Sequence, residues 1–149
     1  MYDIFGEFDS FEEINMAAEG LKAEGDLDNI SVLAKENGID DCYVQMFVEG
    51  DIPALCDITT AAVGKLDVEL QTKEVKAYAS KIPAEPIAEY LKTECMKEQM
   101  AAAIRRKGKS LEGCLKHVEA EAKKKVSRER PYLADAVVYK MAKDYYMGA

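Results

Sequence analysis

Residues 107–146 read KGKSLEGCLKHVEAEAKKKVSRERPYLADAVVYKMAKDYY, and they combine two helical patterns with the densest positive charge in the chain. Ser110 is a favourable residue for capping the start of a helix. Apolar residues recur after it at intervals of three and four: Leu111, Cys114, Leu115, Val118 and Ala122. A second apolar stripe follows Asp135 and consists of Val138, Met141, Ala142 and Tyr145. We expect these two helices to pack against each other across a loop near Pro131.

The rest of the chain also shows helical patterns, most of them ended by glycines. A first helix begins with the capping box at Ser10 and ends near Gly25. Further helices are expected from Asp26 or Asp28 to Gly38, from Asp40 to Gly50, from Asp51 through Pro53 to Leu66, and over residues 87–106. The sequence therefore predicts an all-α fold of mostly short helices in two lobes. Alternation of apolar and polar residues leaves a short strand or hairpin open near the N-terminus or around residues 66–71.

Charge is distributed unevenly along the chain. Residues 1–72 contain 17 acidic and 3 basic side chains, whereas residues 73–149 contain 11 acidic and 17 basic ones. The formal charges are −14 and +6, so we predict an acidic helical lobe over residues 1–72 and a basic helical lobe over residues 87–149. Residues 73–86 carry Pro83 and Pro86 at the change of sign, and we predict a linker there. Attraction between the two lobes is the alternative explanation for this division.

Composition and motifs argue against several classes of protein. An apolar fraction of 48 % indicates a folded chain, and no apolar run is long enough to span a membrane. The acidic start does not resemble a secretion signal, so we expect a cytoplasmic location. The spacing of the four cysteines fits no metal site and favours buried reduced thiols, and His117 is the only histidine. Without a phosphate-binding loop or an activated nucleophile, we expect a protein that is not an enzyme and needs no metal or cofactor.

Several short motifs in the second half resemble one known family. Lys109-Ser110, Cys114, Glu121-Ala122-Lys123, Val138-Tyr139 and Tyr145-Tyr146 resemble the PcfK-like proteins of conjugative plasmids and integrative elements in Gram-positive bacteria. With a leading helix at residues 87–91, the resemblance covers residues 87–146. Met141 and Asp144 stand where we associate a Trp and a His with the family, so no role of those residues transfers. The resemblance implies a mobile-element protein, and some PcfK-like proteins are associated with inhibition of CRISPR effectors.

The acidic half offers the first candidate binding surface. Its candidate residues lie at or near predicted helix starts and turns: Asp26, Asp28, Asp40, Asp41, Glu49, Asp51 and Asp57. Effectors of the Cas9 type hold nucleic acid in strongly positive channels, and carboxylates can occupy the positions that phosphates would take. We therefore expect an anti-CRISPR protein that binds such an effector, or its guide complex, through an acidic surface. Whether the protein acts as a monomer or a dimer stays open.

The basic half supports an alternative, a nucleic-acid-binding accessory protein of conjugation or replication. Its candidate phosphate contacts are Arg105, Arg106, Lys107, Lys109, Lys123, Lys124, Lys125, Arg128 and Arg130. A helix-turn-helix pattern also places Ala34, Gly38 and Val44 at the usual packing positions. Its second helix carries Asp40, Asp41 and no Lys or Arg, which disfavours duplex binding. We expect that unit to serve packing.

Overall fold

The computed structural model describes residues 2–127, 129 and 132–148, and within these residues it contains nine helices and no strand. The helices are α1 Phe11–Ala23, α2 Leu27–Glu36, α3 Asp41–Glu49, α4 Ile58–Leu70, α5 Lys73–Tyr78, α6 Ala84–Glu94, α7 Glu98–Arg105, α8 Leu111–Lys125 and α9 Asp135–Met147. The predicted all-α fold is confirmed. Neither of the two places considered for a strand contains one. Residues 2–9 form turns and loop, and residues 66–70 continue α4.

The fourth helix begins later than the sequence pattern indicated. Residues 51–55 form bends, and α4 starts at Ile58 because the Asp57 carboxylate accepts the backbone N–H of Thr60 at 2.7 Å. Such a bond satisfies one of the N–H groups that lack a partner at the start of a helix. Pro53 therefore lies before the helix and not in its first turn.

The long helix predicted over residues 87–106 is two helices. The chain turns at residues 95–97, where the N–H of Cys95 bonds to the carbonyl groups of both Leu91 and Lys92. The break lies between two helices that both contact α4 and α9, and α7 makes its most extensive contact with α4. Cys95 and Met100, on the two sides of the break, are both buried. Packing of these apolar side chains explains the break.

The hydrophobic side chains form two cores that meet within α4. The first core comprises Ile14, Ala18, Ile30, Leu33, Ala34, Ile39, Val44, Phe47, Leu55, Cys56 and Ala61. The second begins at Ala62 and reaches Tyr146, with most of its side chains from α6 to α9. The boundary between lobes therefore lies between Ala61 and Ala62, eleven residues before the predicted one.

The predicted linker over residues 73–86 is part of the second core. It forms α5 and the start of α6, and it buries Val75, Ile82 and Ala84. Pro86 lies in the first turn of α6, where a missing N–H costs no helical hydrogen bond. Burial of the three apolar side chains thus outweighs the prolines on which the linker prediction rested.

Two glycines bring the first core onto α4. Gly38 follows α2 with a φ of +69°, and its backbone lies directly against that of Gly64 in the middle of α4. A Cβ at Gly64 would overlap the carbonyl oxygen of Asn37, and a Cβ at Gly38 would overlap the backbone of Gly64. The glycine within α4 is therefore the point at which the α2–α3 turn contacts this helix.

The last two helices pack together as predicted. The Tyr145 hydroxyl accepts the N–H of Ser110 at 3.1 Å, beside Gly113, where a Cβ would overlap that hydroxyl. The Ser110 side chain caps α8 by accepting the N–H of Gly113. Pro131, near which the connecting loop was placed, lies outside the described residues. Three cysteines are buried thiols, as expected, but Cys42 is exposed because it lies on the outer side of α3.

Candidate protein-binding surface

The structural boundary between the cores preserves the charge division. Residues 1–61 contain 15 acidic and 2 basic side chains, and residues 62–149 contain 13 acidic and 18 basic ones. The formal charges of the two parts are −13 and +5. A separation of this size produces a field that attracts cationic partners to one part of the molecule.

The acidic candidate residues lie on the surface. Asp28, Asp40, Asp41, Glu49, Asp51 and Asp57 are exposed, and Asp26 is half-buried. Within the described residues, none of the seven takes part in an ion pair. Hydrogen bonding to the backbone N–H of Cys42 lowers the pKa of Asp40, which keeps this carboxyl charged. The surface therefore presents carboxylates that a cationic partner can reach.

Three of the seven acids also hold helix starts. Asp26, Asp40 and Asp57 accept backbone N–H groups at the starts of α2, α3 and α4. Asp26 additionally accepts the side-chain amide of Asn29 at 2.6 Å. Asp26 and Asp40 stand where the sequence predicts helix starts, whereas the fourth helix was expected from Asp51 and is capped by Asp57 instead.

The seven acids divide into three groups along the first core. Lys22 Nζ donates to the carbonyl oxygen of Phe47 at 2.7 Å, which places the end of α1 beside the end of α3. Asp26 and Asp28 follow α1, and Glu49 and Asp51 end α3, so these four lie around one end of the lobe. Asp40 and Asp41 lie at the other end of α3, about 13 Å away for a nine-residue helix. Asp57 forms a third group at the start of α4.

The basic candidate residues form a less continuous surface. Arg106, Lys107 and Lys125 are exposed. Lys123 and Lys124 are exposed but pair with Glu119 at 3.5 Å and Glu121 at 3.2 Å on the same helix. Lys109 is half-buried, donates to the carbonyl oxygen of Tyr145 at 2.9 Å and lies over the Tyr145 ring. Arg128 and Arg130 lie outside the described residues.

Arg105 corrects one part of the predicted basic surface, because it is buried with 1 % of its surface exposed. Its guanidinium donates to Asn37 Oδ1 at 2.7 Å and to the Ala61 carbonyl at 3.5 Å, so it joins α7 to the first core. Arg105 stands four residues after Ala101 and next to Ile104, both buried. That helical spacing is the sequence signal that places Arg105 on the packed face.

A buried charged cluster around Arg105 was not found from the sequence. Lys65 and Glu69 lie one turn apart in α4, and both are buried. Lys65 Nζ donates to the carbonyl oxygens of Arg106 at 2.8 Å and Lys109 at 2.6 Å, and it lies 3.4 Å from Glu7. Glu69 accepts the N–H of Leu111 at 3.1 Å. The two side chains thereby hold the α7–α8 loop and the start of α8.

Burial changes the proton affinities of this cluster. Desolvation raises the pKa of Glu69 to about 7, against the opposing influence of Lys65, and desolvation lowers the pKa of Lys65. Glu69 also lines a groove of about 660 Å³ between α4, α5 and the start of α8. Ser110 lines the same groove, but its hydroxyl is engaged in capping α8. The cluster can exchange a proton near neutral pH, and its observed contacts are those of a structural support.

Comparison with known proteins identifies one match. The family model described as PcfK-like protein matches residues 60–148, which is more than half of the chain. The matched range contains the whole second core and ends one residue after α9, while the seven acidic candidates precede it. No curated protein and no solved structure matches the chain. Across the described residues, none of the helices has the length and apolar character that crossing a membrane requires.

Proposed function

We infer a function from the premise that this chain belongs to the PcfK-like family, and we propose an anti-CRISPR role. In this proposal the protein inhibits a Cas9-type effector by binding it, or its guide complex, through the acidic surface of the first core. A host cell's cytoplasm is where such an effector would be met. The observation that carries the proposal is the set of exposed carboxylates in a part of the chain with a formal charge of −13.

Electrostatic complementarity supplies the physical mechanism. An effector channel that binds nucleic acid is lined with Lys and Arg, which form strong charge-assisted hydrogen bonds to carboxylates as well as to phosphates. The acid groups at the two ends of α3 are about 13 Å apart, which exceeds the reach of one basic side chain. Binding would therefore involve several basic residues of the partner, and its rate would fall as salt concentration rises.

The test is a cleavage assay with a panel of guide-loaded Cas9-type effectors and increasing amounts of this protein. We expect loss of DNA cleavage by at least one effector, together with co-elution of the two proteins at low salt. A gel shift with free duplex and single-stranded DNA accompanies the assay. The proposal is wrong if cleavage by every effector is unchanged, or if inhibition requires direct binding of the free DNA.

The structure allows a variant that removes acidic charge without removing any helix cap. Asp28, Asp41, Glu49 and Asp51 are exposed and are not helix caps, so replacing them together by Asn or Gln removes four charges and keeps the caps. We expect this variant to inhibit at least about tenfold less well, because attraction to the cationic channel is reduced. The matched control neutralises Glu74, Glu85, Glu98 and Asp135, which are exposed first-turn acids of the second part. Equal loss in both variants would contradict the proposed surface.

A nucleic-acid-binding accessory role is the second candidate, and exposed Arg106 and Lys107 at the end of α7 favour it. If this role is correct, replacing both residues by Gln should abolish a salt-dependent shift of DNA in the gel. The same replacement should leave any effector inhibition unchanged. A DNA shift that is lost in this variant, with no effect on cleavage by any effector, would favour the accessory role.

A further inference from the structure

The N-terminal segment, residues 2–9, crosses the boundary between the two cores without forming a helix. Towards the first core, the backbone N–H groups of Ile4 and Phe5 both donate to the Glu36 carboxylate at 3.1 Å. Towards the second part, Asp9 Oδ1 accepts the N–H of Lys107 at 2.9 Å, and Glu7 pairs with Lys65. The segment therefore connects α2 with α4 and with the α7–α8 loop.

The polar attachments all depend on carboxylates, and the half-buried side chains of Phe5 and Phe8 also pack against the first core. Glu36, Glu7 and Asp9 each contribute a side-chain oxygen, and the corresponding contacts are partly exposed. If the segment were a helix of the same length, it would also have backbone hydrogen bonds that form cooperatively along the chain. Segments held by a few side-chain contacts open at lower free energy than the helices of a core.

Around Lys65 and Arg105, the surface beneath the segment is polar and incompletely bonded. Lys65 and Arg105 are buried there, and the Tyr2 hydroxyl is buried with them. Neither the Tyr2 hydroxyl nor Arg105 Nε has a hydrogen-bond partner among the described residues. Water would supply these partners after opening, so desolvation opposes closure of the segment. The same opening would remove Glu7 from Lys65.

We propose that residues 2–9 form a releasable strap, which opens as a unit while the helices stay folded. Opening exposes the Lys65 ammonium group and removes the Asp9 contact from the α7–α8 loop. In the opened state the strap no longer joins the two cores, whereas α4 and the Arg105–Asn37 bond still connect them. The strap is thus a conformational device independent of the acidic surface.

The experiment compares labelling of two buried groups in the full-length native protein. An amine-acylating reagent reports on Lys65, and a thiol reagent reports on Cys95, which is completely buried in the second core. Labelling rates are measured by peptide mass spectrometry at several urea concentrations below the unfolding transition, with exposed Lys35 as the internal reference. We expect Lys65 labelling to depend less on urea than Cys95 labelling, because opening of residues 2–9 exposes less surface than unfolding of the second core.

Glu36→Gln is the informative variant, because it removes the charged acceptor of two backbone N–H groups. We expect at least about tenfold faster Lys65 labelling, since hydrogen bonds to a charged group contribute on that order. The control Glu19→Gln changes an exposed residue of α1 and should leave the rate of Lys65 labelling unchanged. The strap proposal fails if Lys65 and Cys95 share one urea dependence in the wild type, or if Glu36→Gln leaves Lys65 labelling unaltered.

Discussion

Individual side chains in this protein have roles that their residue types alone do not reveal. Gly64 lies inside a helix, where glycine is normally unfavourable, because the backbone of the α2–α3 turn lies against it. Lys65, Glu69 and Arg105 are charged residues that usually lie on the surface, yet all three are buried. In both cases the contact partner is distant in sequence, so the role follows from packing.

Replacing Gly64 by Ala should destabilise the protein by about 1–3 kcal/mol, because the new Cβ would force the α2–α3 turn away from α4. Gly20→Ala is the matched control: Gly20 is exposed in α1, and a Cβ there meets nothing within 4 Å. We expect Gly20→Ala to stabilise the protein by up to about 1 kcal/mol. Urea unfolding measures both changes, and a stabilising Gly64→Ala would contradict the close approach.

Glu69 should make stability depend on pH in a defined direction. Its folded pKa of about 7 exceeds the unfolded value, so between these values the folded protein retains a proton that the unfolded chain has lost. The free energy of unfolding therefore falls as pH rises through this window. Glu69→Gln has no titrating group at this position. The free energy of unfolding of the variant minus that of wild type should therefore increase by about 2–3 kcal/mol from pH 4.5 to pH 8. A constant difference in urea unfolding across that range would contradict the raised pKa.

Six of the nine helices in the described part of the chain begin at residues whose side chains cap the helix start. Ser10, Asp26, Asp40, Asp57, Thr72 and Ser110 all accept backbone N–H groups at helix starts. The break between α6 and α7 has no comparable signal, because an apolar stripe continues through it in the sequence. Local chemistry thus predicts starts better than internal breaks.

Asp57 tests whether capping and charge can be separated at the start of α4. Asp57→Ala should cost about 1 kcal/mol of folding stability, because the N–H of Thr60 loses its acceptor. Asp57→Asn retains an acceptor oxygen and should cost only a few tenths of that amount while removing the charge. Thermal unfolding of the two variants decides this, and equal destabilisation would show that the charge matters more than the cap.

At the scale of the molecule, the described residues form two cores that meet within α4 with no free linker between them. α4 contributes Ala61 to one core and Ala62 to the other, and the Arg105–Asn37 hydrogen bond crosses from α7 to the first core. The family match begins within the same helix, so the PcfK-like part includes the element on which the first core packs. The two parts differ in charge while sharing one structural support.

We expect the two cores to unfold in one cooperative transition, because loss of either would expose the buried face of α4. Native-state hydrogen exchange in increasing urea measures this with the amides of Ile30 in the first core and Leu115 in the second. Their opening free energies should converge to one value. Two separate transitions, with one core protected after the other has opened, would contradict this expectation.

The amino-acid sequence by itself determined the helical class, most helix starts, the uneven charge and the exposed position of six of the seven acidic candidate residues. These properties depend on neighbours within a few positions, such as a capping side chain and the N–H group two or three residues later. Only the tertiary structure decided that the cores meet inside α4, that residues 73–86 are packed, and that Lys65, Glu69 and Arg105 are buried. Those outcomes depend on contacts between residues about 40 to 70 positions apart, for which a single sequence carries no local pattern.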